Sequence, residues 1–250
     1  MMKLQSKEAI KSVQLFVPCF IDQLYPQVAM SMVAVLQHLG IEAKYNPNQT
    51  CCGQPAFNAG FWGDAKEVCS KFISDFSGDE YVVAPSASCI GFVRNYYTKL
   101  FDNSSVHNGV KFLAERSYEF SDFVVNVLGV TDMGARMNTT VTYHDSCAAL
   151  RECNIKQAPR QLLAAVAGLE LVEMNDVETC CGFGGTFAVK FEPISVAMGD
   201  QKIDNATATK AEYLVSTDMS CLMHLQGVAD NKQAGIKTMH LAELLAKAIT

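Results

Sequence analysis

The stretch "CCGQPAF", residues 51–57, has a counterpart in "CCGFGGTF", residues 180–187. In both, two adjacent cysteines are followed at once by glycine, and single cysteines stand before and after the pair. The two sets are Cys19, Cys51, Cys52 and Cys89, and Cys147, Cys180, Cys181 and Cys221. The first set reads C-x31-C-C-x36-C and the second reads C-x32-C-C-x39-C. Two sets in the same order and at nearly the same spacing predict an internal duplication.

The sequences around the single cysteines support the duplication. The segment "DEYVVAPSASCIG", which contains Cys89, resembles "AEYLVSTDMSCLMH", which contains Cys221. The segment between the two sets, "GVTDMGARMN" at residues 129–138, carries two glycines and little hydrophobic periodicity. We therefore predict two domains, residues 1–133 and 134–250.

Short apolar runs alternate with helical patterns in both halves. The predicted strands are residues 12–17, 81–84, 140–144, 169–173 and 213–217, and the main predicted helices are residues 23–40, 89–101, 158–168, 192–208 and 240–249. This alternation is typical of an α/β fold, and it predicts in each half a mostly parallel sheet flanked by helices, with the halves related by pseudo-two-fold symmetry. The cysteines of both sets then follow strands, at the sheet edge where ligands bind in such folds.

Composition narrows the class of protein. The chain has 250 residues, of which 49% are hydrophobic, so it can bury a large core. Its net charge is −6 and no Lys/Arg run is present, which argues against nucleic-acid binding. No apolar run reaches the length of a membrane span, and the first residues lack the features of a signal peptide. We expect a cytoplasmic protein.

The chain contains ten cysteines, a number that in the reducing cytosol favours metal binding or catalysis over disulfides. Cys69 and Cys153 lie outside the two sets, and we interpret them as buried packing residues. A disulfide between adjacent cysteines would strain the backbone, and a single zinc ion usually requires C-x2–4-C spacing. Adjacent thiolates most easily reach one centre when that centre is a multi-iron cluster. The glycine after each pair is expected to give the backbone room to turn close to that cluster.

The CCG motifs, together with "VPCF" and "HDSC", closely resemble those of the CCG cysteine-rich domain proteins. That family includes the iron–sulfur subunit of glycolate oxidase and the CCG subunit of heterodisulfide reductase. The nearest resemblance is to the lactate-utilisation protein A group, and it covers essentially the whole chain. It implies an iron–sulfur electron-transfer subunit of a multi-protein complex that oxidises L-lactate, or a related 2-hydroxy acid, to pyruvate. The implied partners are a ferredoxin-containing iron–sulfur subunit and a small third subunit.

The chain departs from the heterodisulfide reductase pattern at the end of each set. That pattern ends in C-x-x-C, whereas this chain has Phe92 and His224 at the last position. The five-thiolate cluster therefore cannot simply be carried over, and a [4Fe–4S] cluster fits the four candidate cysteines of each set. Zinc at one site remains an alternative, because the resemblance extends to family members in which one CCG site holds zinc. A disulfide reductase subunit and a zinc-stabilised, non-catalytic scaffold are the alternative functions.

Four further residues are candidates for a role at these sites. His144 stands three residues before Cys147 and is a candidate for a hydrogen bond to a cluster sulfur or for proton transfer. A structural role in its loop is the alternative. His224 is a candidate nitrogen ligand because of its C-x-x-H offset from Cys221. Arg151 and Lys190 could offset the cluster charge or bind a carboxylate substrate, or they could be ordinary surface cations.

Overall fold

The computed structural model describes residues 10–102 and 104–250. The first nine residues, where the predicted domain 1–133 begins and where no signal peptide is expected, lie outside the described residues. Within the described ranges, no helix combines the length and the apolar character that crossing a bilayer requires.

The first half is built on four short strands. They are β1 (Ser12–Leu15), β2 (Glu42–Tyr45), β3 (Val82–Ala84) and β4 (Ser117–Glu119). The helices are α1 (Cys19–Leu24), α2 (Pro26–His38), α3 (Gln54–Asn58), α4 (Trp62–Asp75), α5 (Ala87–Leu100), α6 (His107–Glu115) and α7 (Phe120–Asp122). A π-helical turn, Phe123–Val127, continues α7.

The second half repeats this arrangement. Its strands are β5 (Arg136–Tyr143), β6 (Ala167–Leu171), β7 (Tyr213–Ser216) and β8 (Lys237–His240). Its helices are α8 (Gln157–Ala164), α9 (Thr186–Lys190), α10 (Glu192–Ala208), α11 (Met219–Lys232) and α12 (Leu241–Ala248), with a π-helical turn at Ala148–Glu152.

The two sheets have the same topology. The strand order is β2-β1-β3-β4 in the first and β6-β5-β7-β8 in the second, and all pairs of strands are parallel. Each sheet is therefore the duplicate of the other, strand for strand. The predicted fold class, two duplicated α/β units with parallel sheets flanked by helices, is confirmed.

Equivalent positions of the two halves touch each other where α5 and α11 begin. Ser86 and Asp218, the N-cap residues of these helices, form an isolated antiparallel bridge. The Asp218 carboxylate accepts hydrogen bonds from the backbone N–H of Ser88 at 3.0 Å and of Ser220 at 3.3 Å. One side chain thus caps both helices, and the pseudo-two-fold axis passes between their N-termini.

The two halves pack against each other through buried hydrophobic residues. Helix α12 of the second half packs on α2 of the first, and α7 with its π-helical turn packs on α8. One buried cluster joins Val13, Leu15 and Leu36 of the first half to Val141 and Leu245 of the second, and two smaller clusters also contain residues of both halves. Because each half covers apolar surface of the other, we expect the two to unfold together.

Glu119, the N-cap of α7, is a fully buried carboxyl group. One of its oxygens accepts hydrogen bonds from the backbone N–H groups of Ser121, at 2.8 Å, and Asp122, at 3.3 Å. The other oxygen has no partner among the described residues. Burial raises the pKa of Glu119 from 4.5 to about 8.

We expect the Glu119→Gln variant to be more stable than the parent chain at pH 8 and nearly equal to it at pH 5. An acid whose pKa is raised by folding destabilises the folded state as pH rises from the unfolded value to the folded value. The difference in unfolding free energy between variant and parent should therefore grow by about 3 kcal/mol over this range. Urea unfolding of variant and parent at both pH values measures this difference. A difference in unfolding free energy that does not change with pH would contradict the raised pKa of Glu119.

Candidate metal centre

The cysteines of the first set lie together at the carboxyl edge of the first sheet. Cys19 begins α1, in the loop that leaves β1, and Cys89 lies in the first turn of α5, directly after β3. Cys51 and Cys52 lie in the segment between β2 and α3. Three separate connections after parallel strands therefore bring four sulfurs to one place, as the topology predicts.

Hydrogen bonds link these four sulfurs in a chain from Cys19 to Cys51, from Cys51 to Cys52 and from Cys52 to Cys89. The hydrogen bonds from the Cys19 and Cys52 thiols lower the pKa of Cys51 to about 3. Donating to that sulfur raises the pKa of Cys19, and burial raises it further. These contacts favour the thiolate form of Cys51, the form that binds metals.

The second set repeats the same chain of contacts. Hydrogen bonds link Cys147 to Cys180, Cys180 to Cys181 and Cys181 to Cys221. The pKa of Cys180 is lowered to about 2 by the hydrogen bonds from Cys147 and Cys181. Donating to Cys180 raises the pKa of Cys147, and burial adds to the effect. The two sites therefore agree in the order of their sulfur contacts and in the cysteine whose pKa these contacts lower.

The glycine after each cysteine pair has two physical roles. Gly53 and Gly182 have φ angles of +91° and +94°, a conformation that other residues rarely adopt. Their backbone N–H groups point to the thiolates of Cys51 and Cys180, each at 3.4 Å. The room that the missing side chain leaves is taken up by the following helix, α4 or α10, and not by the metal site itself. The sequence analysis is right that each glycine allows a tight turn. The turn, however, comes close to helix α4 or α10 and not to the metal site.

The N-termini of α5 and α11 point their positive ends at the two sites. Each helix has 14 residues and carries the last cysteine of its set in the first turn. The side-chain oxygen of Ser86, the N-cap of α5, accepts a hydrogen bond from the backbone N–H of Cys89 at 3.4 Å. This bond caps the helix at the turn that carries the cysteine. A helix N-terminus stabilises negative charge, so this placement favours a group held by several thiolates.

His144 lies at the second site. Its side chain is fully buried, and one ring nitrogen belongs to a group with the sulfurs of Cys181 and Cys221 whose members lie within 4.8 Å of one another. Neither ring nitrogen has a hydrogen-bond partner within the described residues. Burial lowers the pKa of His144 to about 3, and the positive charge of Lys202 adds to the effect, so the ring is neutral.

The other sequence candidates lie further from the sulfurs or at the surface. The Nε2 atom of His224 faces Ser195 of α10, 3.3 Å from its carbonyl oxygen and 3.5 Å from its hydroxyl. Arg151 lines an open groove of about 530 Å³ together with Cys180 and Glu178. Lys190 is exposed in the last turn of α9.

Cys69 and Cys153 lie outside the two sets of sulfurs. Both are buried, and their thiols donate to backbone carbonyl oxygens, Cys69 to Cys52 and Cys153 to Ala87, each at 3.4 Å. Burial raises their pKa values to about 11 and about 12. Both are therefore protonated at neutral pH, as packing residues are.

One residue at the second site was missed in the sequence analysis. Lys202 of α10 is 1% exposed, and its ammonium group donates to the carbonyl oxygens of Asp176, at 2.5 Å, and Val177, at 3.1 Å, just before Cys180. The structure shows its equivalent in the first half, because Lys202 stands seven residues after Ser195, as Phe72 stands seven after Ala65. Ser195 and Ala65 are the residues whose carbonyl oxygens lie against Gly182 and Gly53.

The donor set at each site fits a metal–thiolate centre. All ten cysteines are free, although four sulfurs meet at each site. Each set contains a cysteine whose pKa is lowered, one or more buried cysteines, and a helix N-terminus that favours negative charge. Soft thiolate ligands select iron–sulfur clusters or zinc. The sites can therefore hold such a group, and the sulfur contacts alone leave its metal open.

Comparison with known proteins agrees with this architecture. The CCG cysteine-rich domain matches residues 13–94 and 141–226, one copy in each half. The chain belongs to the CCG cysteine-rich domain family.

Proteins named lactate utilization protein A are among its similar relatives. Lactate utilization protein A 2 of Bacillus cereus (strain 03BB102) is 42% identical over 238 residues, which cover 95% of this chain and 98% of the relative. Lactate utilization protein A of Bacillus subtilis (strain 168) is 42% identical over 233 residues, 93% of this chain and 98% of the relative.

A solved structure shares the fold at low sequence identity. The crystal structure of a hypothetical protein from Helicobacter pylori superposes with a TM-score of 0.59 at 11% identity. The match covers 96% of this chain but 49% of the Helicobacter chain, so this chain spans about half the length of that protein.

Proposed function

We propose that this chain is an iron–sulfur electron-transfer subunit of a multi-protein complex that oxidises L-lactate, or a related 2-hydroxy acid, to pyruvate or the corresponding 2-oxo acid. The observation that carries the proposal is the pair of matching four-cysteine sites, in each of which contacts between the sulfurs lower the pKa of the first cysteine of the CCG pair. The names of the relatives supply the substrate class.

The residues that would hold a cluster are the four cysteines of each set. They are Cys19, Cys51, Cys52 and Cys89 in the first half, and Cys147, Cys180, Cys181 and Cys221 in the second. Iron–sulfur clusters bound there would supply one-electron transfer, which fits the release of electrons when a 2-hydroxy acid becomes a 2-oxo acid.

The protein's own groups have distinct tasks in this proposal. The buried positions of Cys52 and Cys181 exclude water from one side of each site, and the N-termini of α5 and α11 balance its negative charge. Arg151, in the groove beside Cys180, is the candidate that binds a substrate carboxylate, because a guanidinium group matches carboxylate geometry. The remaining steps are assigned to a ferredoxin-containing partner and a small third subunit.

The alternatives make different demands on the same residues. A disulfide reductase subunit with a five-thiolate cluster needs another thiolate near the last cysteine of a set. Phe92, at that place in the first half, is buried among Phe57, Tyr96 and Tyr97. A zinc-stabilised scaffold needs no redox activity at all.

Metal and sulfide analysis of the protein purified without oxygen tests the proposal. We expect a brown protein with roughly four irons per occupied site, matching acid-labile sulfide, and visible absorption that bleaches on reduction. Zinc alone, with no iron taken up on reconstitution, would sink the electron-transfer function and favour the scaffold. Turnover of a disulfide by the reconstituted protein would favour the reductase.

A further inference from the structure

The two sites differ directly behind their cysteine pairs. In the first half the rings of Phe16 and Phe72 meet edge to face, with their centroids 4.8 Å apart. The equivalent residues of the second half are His144 and Lys202. Phe16 and His144 each stand three residues before the first cysteine of their set, and Phe72 and Lys202 occupy matching places on α4 and α10. A buried aromatic pair in one half is thus replaced by a buried imidazole and a buried ammonium group in the other.

His144 is a polar side chain without a protein partner. It is fully buried, and within the described part of the chain neither ring nitrogen makes a hydrogen bond. An unpartnered buried polar group costs folding free energy, so such groups usually mark a ligand or a function. One ring nitrogen lies within 4.8 Å of the sulfurs of both Cys181 and Cys221, so all three atoms could be ligands of one metal centre.

Lys202 suits a metal site rich in thiolates. Its ammonium group is fixed by the carbonyl oxygens of Asp176 and Val177, so a cation is kept behind the cysteine pair. The first half has the uncharged ring of Phe72 at this place.

We propose that His144 supplies a nitrogen ligand to the metal of the second centre, beside cysteine sulfurs of its set, whereas the first centre has cysteine sulfurs alone. The proposal rests on the proposed function only in taking an iron–sulfur cluster as the metal. It makes the two centres chemically different despite their common fold, because ligand type and neighbouring charge set the properties of such clusters.

Electron spin-echo envelope modulation of the reduced, anaerobically reconstituted full chain tests the proposal. We expect strong ¹⁴N coupling from a directly bound imidazole, which changes to ¹⁵N coupling when the protein is grown with ¹⁵N-histidine. His144→Phe, which gives the second site the residue type of the first, should abolish the coupling. His224→Gln is the matched control from the same half, and it should retain the coupling.

Each outcome decides the matter. Iron at both centres with only weak nitrogen coupling, or strong coupling that survives in His144→Phe, overturns the nitrogen ligand and leaves the electron-transfer function standing. If His144→Phe does not fold, the ¹⁵N-histidine measurement on the parent chain and on His224→Gln decides. A chain that takes up no iron refutes the proposed function instead. Co²⁺ is then the probe. If the ligand-field absorption of Co²⁺ at the second site is the same in the parent chain and in His144→Phe, His144 is not a ligand.

Discussion

Replacing Cys52 with serine is expected to remove about half of the iron that the reconstituted protein holds, and replacing Cys181 is expected to remove the other half. Both sulfurs are buried, at 1% and 2% exposure, and each is hydrogen-bonded to two other sulfurs of its set. A serine hydroxyl is a much weaker ligand for iron than a thiolate, so the affected set loses its cluster. The double variant should hold no iron.

The chain offers matched controls for this experiment. Cys69→Ser and Cys153→Ser each remove a buried thiol of the same half that lies outside the set, and each keeps a donor for the carbonyl oxygen of Cys52 or Ala87. Both controls should retain full iron and sulfide content, with circular dichroism to show that all variants are folded. Iron loss in a control equal to that in Cys52→Ser would mean that folding, and not ligation, is being measured. Retention of full iron by the double variant would refute the ligand assignment.

The sequence predicts the fold well where the elements are long or strongly apolar. The helix predicted around residues 192–208 corresponds to α10, and the strand predicted at 213–217 differs from β7 by one residue. The predicted helix 23–40 is divided at Tyr25, because Pro26 begins a new helix. Its end is right, since Gly40 has a φ of +76° just after the helix.

The strands that the sequence analysis missed are β2, β4 and β8. They have three or four residues each, and β2 is largely exposed, with only Ala43 partly covered. Such strands carry no alternating pattern, because their place is set by pairing with β1, β3 or β7 and not by their own side chains. Contacts across the sheet are not visible in a local window of sequence.

The candidate site shows the same limit. The duplication and the spacing of the cysteines predicted which sulfurs would meet, because parallel strands bring their carboxyl ends to one edge. The offset of His224 from Cys221 predicted a ligand, but α11 turns its ring toward Ser195. His144 could be placed near the site, yet its lack of a partner and the cation beside it depend on the packing of α10, which no local motif encodes.

Replacing Gly182 with alanine is expected to destabilise the protein by roughly 3 kcal/mol and to empty the second metal site. The positive φ of +94° costs an alanine about 1–2 kcal/mol, and the added Cβ would lie 2.5 Å from the carbonyl oxygen of Ser195 and 2.9 Å from the Cβ of Met198. Because the first obstacle is helix backbone, the turn itself must shift, and with it the N–H that points to the Cys180 thiolate. At Gly53 the nearest atoms are the sulfur of Cys69 at 2.9 Å and the carbonyl oxygen of Ala65 at 3.1 Å, so Gly53→Ala should be milder.

Gly227→Ala and Gly63→Ala are the controls for the same change of residue. Both glycines lie inside helices, α11 and α4, and a Cβ at either would meet nothing within 4 Å. Alanine there should leave stability unchanged or raise it by up to about 1 kcal/mol, since glycine is the weaker helix former. Urea unfolding and iron content together separate the effects. A Gly182→Ala chain as stable and as rich in iron as Gly227→Ala would mean that the turn does not require the CCG glycine, and that neither its positive φ nor its contact with α10 explains the motif.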